Sequence, residues 1–256
     1  MRICLLASGS KGNAVFIESG ESRVLIDAGL SARELLRRLE QIGVRGDELD
    51  AIFVTHEHGD HCLGLGPLAR RCNLPVFMHP ATRQALPRLG RIDTLREFQA
   101  GDTLHFRDLE IRTFPLTHDA VAPVGYTIES SAGKMGLATD LGLATRLLAQ
   151  NLRDCRALVL ESNHDEDMLR DGPYPWHLKQ RIRSNHGHLS NTAAADLLRC
   201  LLWEGLEAVF LAHLSETNNT PQLAEAGARA VLEAQSICRP QLILGRQEQT
   251  SACFSI

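Results

Sequence analysis

Long apolar runs are absent from this 256-residue sequence, and none approaches the roughly 20 residues that a membrane-spanning helix needs. The amino-terminal stretch MRICLLASGS has one Arg and an apolar run too short for a signal-peptide core. We therefore expect this stretch to form a first β-strand and the protein to be cytoplasmic.

Closely spaced cysteine pairs are also absent. The seven cysteines are scattered, and no two of them form a CxxC motif. Their odd number and irregular spacing favour neither a disulfide framework nor a cysteine-based zinc site. We expect most of them to be small buried residues, with Cys62 close to the histidine-rich segment that it follows.

An excess of positive charge is a third absence. Lys and Arg number 27 against 31 Asp and Glu, and the net charge of −4 excludes nucleic-acid binding through overall basicity. An enzyme whose cations are concentrated in one cleft is still allowed. Lys179, Arg181 and Arg183 lie on a predicted helix, for which a solvated face is favoured over a polyanion-binding face. Aromatic residues make up only 5% of the chain, and Tyr174 and Trp176 are the candidates for stacking on bases.

The order of predicted elements indicates the fold class. No repeat, low-complexity segment or linker divides the chain, so one domain over residues 1–256 is expected. Helical and strand patterns alternate in the first and last thirds, and the middle is rich in strands. This pattern predicts an α/β protein with two central sheets and helices on the outside, an αββα sandwich.

Polar residues that suit metal binding follow several of the predicted strands. The segment THEHGDH, Thr55 to His61, comes directly after an apolar strand, and Asp27, His118, Asp140 and His213 each follow another strand. Strand ends, where loops project, are where α/β folds usually build sites. A polar loop that happens to contain several histidines is the alternative explanation.

The spacing within the histidine-rich segment suits two metal ions. Alternate residues His56 and His58 point the same way on an extended loop, and Gly59 allows a turn that redirects the next two residues. Nitrogen and oxygen ligands of this kind suit zinc, manganese or iron. The predicted ligands are His56, His58 and His118 for one ion, Asp60, His61 and His213 for the other, and Asp140 as a bridge.

This ordered set resembles the metallo-β-lactamase superfamily. The motif H-x-H-x-D-H is followed by single His, Asp and His residues, and the motifs run from residue 27 to residue 213. The resemblance implies the same αββα fold. It also implies that Asp27 holds the histidine loop and does not bind a metal itself.

Further segments narrow the resemblance. SGSKGN (8–13), ESNHD (161–165), YPW (174–176), GHLSN (187–191) and LAHLSETNN (211–219) are similar to the YycJ/WalJ group, metallo-hydrolases assigned as 5′→3′ DNA exonucleases. The resemblance implies a two-metal phosphodiesterase with nucleic acid as substrate, DNA favoured over RNA. The candidate catalytic residues are Asp60, His188 and His164, and the candidate substrate-binding residues are Ser8, Ser10, Lys11, Asn13, Asn163 and Ser190.

Several alternatives stay open at this point. SGSKGN suits an anion but is also an ordinary Gly-rich turn, and His164 is either a substrate or metal contact or a hydrogen-bonded loop residue. A hydrolase of a small cyclic phosphodiester, thioester or lactone would have the same metals, and a non-catalytic scaffold is a third hypothesis. Asp140 and His213 are only 73 positions apart, so a surface that guides a nucleic-acid strand must come from short loops or from the partner in a homodimer.

Overall fold

The computed structural model describes residues 1–256 and contains two seven-stranded sheets. The first sheet has the order β14-β1-β2-β3-β4-β5-β6, with antiparallel pairing from β14 to β3 and parallel pairing from β3 to β6. Its strands are β1 Arg2–Ala7, β2 Ala14–Ser19, β3 Ser22–Ile26, β4 Ala51–Phe53, β5 Val76–Met78, β6 Leu95–Glu97 and β14 Phe254–Ser255.

The second sheet has the order β13-β12-β11-β10-β9-β8-β7. Pairing is antiparallel from β7 to β10 and parallel from β10 to β13. Its strands are β7 Thr103–Phe106, β8 Leu109–Pro115, β9 Val124–Ser130, β10 Gly133–Ala138, β11 Ala157–Glu161, β12 Ala208–Ala212 and β13 Gln241–Leu244.

Nine α-helices and one short 3-10 turn, Gly46–Glu48, connect the strands. The helices are α1 Ala32–Gln41, α2 Gly59–Cys62, α3 Leu65–Cys72, α4 Pro80–Ala85, α5 Arg146–Leu152, α6 Glu166–Asp171, α7 Trp176–Arg183, α8 Asn191–Cys200 and α9 Pro221–Glu233. Ser31 begins α1, where its side chain accepts a hydrogen bond from the backbone of Glu34.

Three hydrophobic clusters separate four layers, and side-chain alternation along the strands explains them. In β1, Ile3 and Leu5 belong to a central cluster shared by both sheets, whereas Cys4 and Leu6 belong to a second cluster on the opposite face. That second cluster includes α1 and α3, and a third, on the outer face of the other sheet, includes α5, α8 and α9. The predicted αββα sandwich is therefore confirmed.

The cysteines differ from the prediction at one place. Cys4 and Cys253 form a disulfide with Cα atoms 4.5 Å apart, although no disulfide was expected. The antiparallel register of β1 and β14 places Ile3 opposite Phe254, so the next residues along also face each other. The two cysteines are 249 positions apart in sequence, and only the closing of the sheet by the last strand brings them together. The other five cysteines are free, and Cys62 is buried directly after the histidine segment, hydrogen-bonded to the carbonyl of His56.

None of the helices is both long enough and apolar enough to span a membrane.

Candidate metal centre

The predicted ligands meet at one rim, where β3, β4, β8, β10 and β12 end. Three residues just past these ends have left-handed backbone conformations: Asp27 with φ 64°, Asp140 with φ 61° and His213 with φ 55°. Non-glycine residues adopt this conformation rarely, and it turns the chain sharply away from the strand direction. Each of these three side chains therefore lies at the rim, within two residues of the end of its strand.

Asp27 fixes the loop that carries the histidines. Its carboxylate accepts hydrogen bonds from the backbone N–H of Thr55 at 2.8 Å, from the Thr55 hydroxyl at 2.8 Å and from Nδ1 of His61 at 2.7 Å. The neighbouring Gly29 lies so close to the backbone of Asp60 that a Cβ atom would overlap the Asp60 carbonyl. The turn after β3 therefore supports the loop in two ways. The carboxylate of Asp27 binds the loop, and Gly29, which has no side chain, lets the backbone of Asp60 come close.

The first ligand set contains His56, His58 and His118, whose ligand nitrogens lie within 4.8 Å of one another. Nδ1 of His56 is 2.9 Å from the Thr55 hydroxyl, and Nδ1 of His118 is 3.0 Å from the carbonyl of Gly187. When both Nδ1 atoms carry the proton in these bonds, each Nε2 lone pair is free for a metal ion, an arrangement that metal-ligating histidines usually have. Burial is the main reason that the pKa of His56 lies well below its ordinary value, and the neighbouring His61 is the second. The low pKa favours the neutral form, which can bind a metal ion.

The second ligand set contains Asp60, His61 and His213, again within 4.8 Å of one another. Oδ2 of Asp60 is 3.4 Å from Nε2 of His61 and 3.5 Å from Nε2 of His213. Burial alone would lower the pKa of His213, but Asp140 and the other carboxylates around it outweigh burial and raise the pKa to about 10. The Nδ1 atoms of both histidines face carboxylates outside the set, so both Nε2 atoms point inward.

Asp140 joins the two sets. Ligand atoms of Asp140, of His56 in the first set and of His61 in the second lie within 4.8 Å of one another. Oδ2 of Asp140 is 3.2 Å from Nε2 of His61. Three buried atoms at the centre make no well-aligned hydrogen bond: Nε2 of His56, Oδ2 of Asp140 and Nε2 of His213. Unpaired buried polar atoms are costly and rare in proteins. Imidazole nitrogen and carboxylate oxygen are zinc, manganese and iron ligands, so the residues present fit divalent cations.

Glu161 is part of the centre and was not predicted as a site residue. It ends β11, is completely buried, and its Oε1 lies 2.7 Å from Nδ1 of His188 and 2.9 Å from Nδ1 of His213. Its Oε2 accepts from the backbone N–H groups of Leu141 and Leu189, both at 3.1 Å. Burial raises the pKa of Glu161, but His188 outweighs it and brings the pKa to about 2, so the carboxylate is ionised. The sequence signal was a carboxylate ending an apolar strand, the same signal that identified Asp27 and Asp140.

His188 lies beside the ligands at the opening of the centre. Its side chain is 20% exposed, and Nδ1 is 3.8 Å from Oδ1 of Asp140. Nδ1 of His188 donates a hydrogen bond to Glu161, which leaves Nε2 as the nitrogen free to act on another molecule. His188 also lines a pocket of about 230 Å³ together with Ser10, Asp119, Asn163, Tyr174, Leu178, Arg181, Ile182, Gly187 and Ser215.

The segment SGSKGN contributes to the centre mainly through hydrogen bonds to the ligand residues. The Ser8 hydroxyl accepts from the backbone N–H of His213 at 2.7 Å, and the Asn13 amide donates to Oδ2 of Asp60 at 3.2 Å. Both side chains are buried. Ser10 is exposed and lines the pocket, whereas Lys11 is exposed and forms an ion pair of 2.6 Å with Glu216.

The remaining predicted residues lie on the loop after β11 and at the start of α8. Asn163 lines the pocket and donates to the carbonyl of His213 at 2.8 Å. Ser190 begins α8 as its N-cap and donates to Glu166 at 2.9 Å. His164 forms an isolated β-bridge with Ser190 and belongs to none of the ligand sets. Burial lowers the pKa of His164 to about 4, and its Nδ1 has no hydrogen-bond partner.

Two seven-stranded sheets, with paired His and Asp sets at one rim, define a metal-dependent hydrolase of the metallo-β-lactamase type. A family profile described as "Beta-lactamase superfamily domain" matches residues 22–214. The chain is 38% identical over 236 residues to "Exodeoxyribonuclease YycJ" of Bacillus anthracis, covering 91% of this chain and 89% of that one. It is also 38% identical over 225 residues to "Exodeoxyribonuclease WalJ" of Streptococcus pneumoniae, covering 86% of this chain and 84% of that one.

Among solved structures, the metallo-β-lactamase fold protein YhfI from Bacillus subtilis matches with a TM-score of 0.76 over 97% of this chain and 98% of that chain, at 17% identity. That likeness concerns the fold alone. The chain belongs to the YycJ/WalJ family of the metallo-β-lactamase superfamily and is an enzyme, a metal-dependent hydrolase.

Proposed function

We propose that the protein is a two-metal phosphodiesterase that removes nucleotides from DNA, working from the 5′ end towards the 3′ end. The names of the two relatives, both exodeoxyribonucleases at 38% identity over most of the chain, support the DNA substrate. The 5′→3′ direction rests on the sequence resemblance to the YycJ/WalJ group.

The observation that carries this proposal is the pair of ligand sets joined by Asp140, with unpartnered buried atoms on both sides of it. Divalent ions bound there, zinc or manganese with iron as a third option, lower the pKa of bound water and offset charge on phosphate oxygens. Asp27 and Glu161 hold the Nδ1 protons of His61 and His213, and so keep the two Nε2 atoms aimed at the second site.

Two residues at the opening have roles in proton transfer. The Asp60 side chain is 22% exposed and is close to both histidines of its set, so it is placed to orient the attacking water and accept its proton. His188 presents Nε2 to the pocket and is placed to give a proton to the leaving oxygen. His164 we assign to positioning, because it is buried beside Ser190 and outside the ligand sets.

The pocket beside His188 supports a phosphate-containing substrate over a small acyl compound. Three of its ten lining residues are hydrophobic, and the others include Ser10, Asn163, Ser215 and the ion pair of Arg181 and Asp119. Hydroxyl, amide and guanidinium groups suit sugar and phosphate oxygens. Residues of the first ligand set follow strands of both sheets, so we also propose that residues 1–256 work as one catalytic domain. We place the enzyme in the cytoplasm, where DNA is within reach.

The test uses DNA labelled at either end, single- and double-stranded, with Zn²⁺, Mn²⁺ or Fe²⁺ supplied separately, and labelled RNA in parallel. We expect release of mononucleotides from the 5′ end, loss of this activity in His58→Ala, and wild-type activity in the control His105→Ala, whose histidine is exposed on β7. Equal DNA degradation by His58→Ala and the wild type would refute the metal-centre mechanism. Cleavage of RNA alone would refute the DNA substrate.

A further inference from the structure

One segment beside the metal centre is exposed along most of its length. Residues 172–186, here called the arm, contain α7, and no residue of this helix is buried. Trp176 at its start is 64% exposed. A surface helix in a globular protein normally buries an apolar stripe against the core, so this helix is not explained by its own packing.

The arm is basic in a chain that is acidic overall. Residues 172–195 contain no Asp or Glu, while the net charge of the chain is −4. Lys179 and Arg183 have no carboxylate partner, although Nζ of Lys179 donates to the carbonyl of Arg170 at 2.7 Å, whereas Arg181 pairs with Asp119. The arm therefore presents unneutralised positive charge on an exposed surface, which would attract a polyanion.

Backbone hydrogen bonds hold the arm in a fixed position against the centre. The N–H of His188 donates to the carbonyl of Ile182 at 2.9 Å, and the N–H of Asp119 donates to the carbonyl of His186 at 3.0 Å. Gly187, which directly follows the arm, accepts from Nδ1 of His118, a residue of the first ligand set. The end of the arm is thus one hydrogen bond away from the metal site.

The arm also forms one wall of the pocket. Tyr174, Leu178, Arg181 and Ile182 line it from the arm side, and His188, Ser10, Asn163 and Ser215 also line it. The pocket, about 230 Å³, is below the usual range of roughly 300–1,000 Å³ for sites that enclose a drug-sized ligand. A pocket of this size does not admit a stretch of duplex.

We propose that the arm is the strand guide of this enzyme: the terminal nucleotide of single-stranded DNA enters the pocket, and the nucleotides behind it lie along α7. Lys179 and Arg183 contact phosphates of those nucleotides, and Trp176 stacks on one of their bases. This inference rests on the proposed nuclease function and adds the surface that selects a single strand. It also assigns to a short segment of the same chain a role that would otherwise need a dimer partner.

The test compares Lys179→Gln/Arg183→Gln with the charge-matched control Arg153→Gln/Arg239→Gln. Both control arginines are exposed, lack a carboxylate partner and precede the starts of β11 and β13, at the edge opposite the centre. Binding of a fluorescent single-stranded oligonucleotide is measured by anisotropy against salt concentration, in a His58→Ala background that prevents degradation. Hydrolysis of bis(p-nitrophenyl) phosphate by the same variants, without His58→Ala, reports the metal centre alone.

Loss of two phosphate contacts should reduce the slope of log K against log salt by about 1.4 and weaken binding roughly tenfold at low salt. Trp176→Ala should weaken binding roughly tenfold and Trp176→Phe should restore most of it. Hydrolysis of the small diester should stay at the wild-type rate in all arm variants.

Unchanged affinity and salt slope in the arm variants would overturn the inference, as would equal losses in the control pair. A wild-type dimer that Trp176→Ala separates, with DNA binding intact, would overturn it by showing that the arm covers a second copy. Failure of the nuclease proposal looks different: the wild type would then hydrolyse the small diester but leave every DNA intact.

Discussion

Replacing Glu161 with Gln tests the centre most sharply, because the change keeps the shape of the side chain and removes its charge. The carboxylate accepts four hydrogen bonds, two from the Nδ1 atoms of His188 and His213 and two from the backbone of Leu141 and Leu189. An amide has one oxygen and one NH₂ group, and every partner around it is a donor. Either the two imidazoles or the two backbone N–H groups must then face the NH₂ group.

The cost follows from which pair loses its acceptor. If the amide oxygen stays with the backbone, the NH₂ group faces the Nδ1–H of His213. His213 then avoids this contact between two donors by carrying its proton on Nε2, and that tautomer cannot bind a metal ion through Nε2. If the oxygen turns to the histidines, two buried N–H groups lose their partner at about 1–3 kcal/mol each. Removing a partner of this kind from a metal-binding histidine typically costs roughly 10–100-fold in metal affinity.

The assay is competition for Zn²⁺ or Mn²⁺ with a chromophoric chelator, together with the metal content of the purified protein. Glu161→Gln should lose one of two ions or bind it roughly 10–100-fold more weakly. Glu129→Gln, an exposed carboxylate on β9 of the same sheet, should match the wild type in both measurements. A Glu161→Gln protein with two ions bound at wild-type affinity would refute the role assigned to Glu161.

Three other predictions concern the centre and the fold. Gly29→Ala should lose the metal of the second ligand set while keeping its circular dichroism spectrum, because the new Cβ overlaps the Asp60 carbonyl. Gly227→Ala in α9, where the new Cβ makes only ordinary contacts, is the control. Full metal content in Gly29→Ala would contradict the reasoning. Chelation of both metals should lower the melting temperature by roughly 10–20 °C, because each ion at about 100 times its Kd contributes about 2.7 kcal/mol. Calorimetry with and without EDTA measures this shift, and no shift would mean that the centre holds no ion. Arg37 and then Arg38 outweigh burial and bring the pKa of Glu34 to about 2, below its ordinary value of 4.5, so Glu34 stabilises the fold above pH 4.5 and this contribution disappears as the pH falls through 2. Glu34→Gln should therefore cost about 1–2 kcal/mol at pH 7, after allowance for solvent screening, and less with each step down from pH 4.5 towards 2 in denaturant titrations; a cost independent of pH would contradict the assignment.

The sequence was informative wherever a signal is local. Each candidate ligand lies in the segment after a strand, and the spacing inside THEHGDH is enough to separate two sets of ligands. The αββα fold followed from the order of elements, since strands with both faces buried and amphipathic helices have different periods. Three short helices, α2, α4 and α6, were not predicted, since they have only four to six residues and show little periodicity.

What the sequence could not provide depends on contacts between distant residues. Glu161 meets histidines that lie 27 and 52 positions away, and nothing next to it in the chain indicates those partners. The disulfide of Cys4 and Cys253 depends on the last strand pairing with the first. Ser8 and Asn13 have the polar groups of an anion loop, but their hydrogen bonds go to His213 and Asp60 once the sheets are packed. The position of α7 beside the metal centre is also a tertiary property, and its sequence does not indicate it.

The left-handed conformations of Asp27, Asp140 and His213 set a limit on how stable this enzyme can become while it works. Each such residue costs on the order of 1 kcal/mol, and whole domains are stable by only about 5–15 kcal/mol. Glycine at these positions would relieve the backbone, and at Asp140 it would also remove a buried oxygen that has no partner in the absence of metal. Screens that select metal-free protein for heat resistance alone would therefore favour glycine at position 140 and an inactive enzyme, whereas Asp27 and His213 form buried hydrogen bonds that glycine would lose. Selection for stability in this protein has to be coupled to selection for turnover.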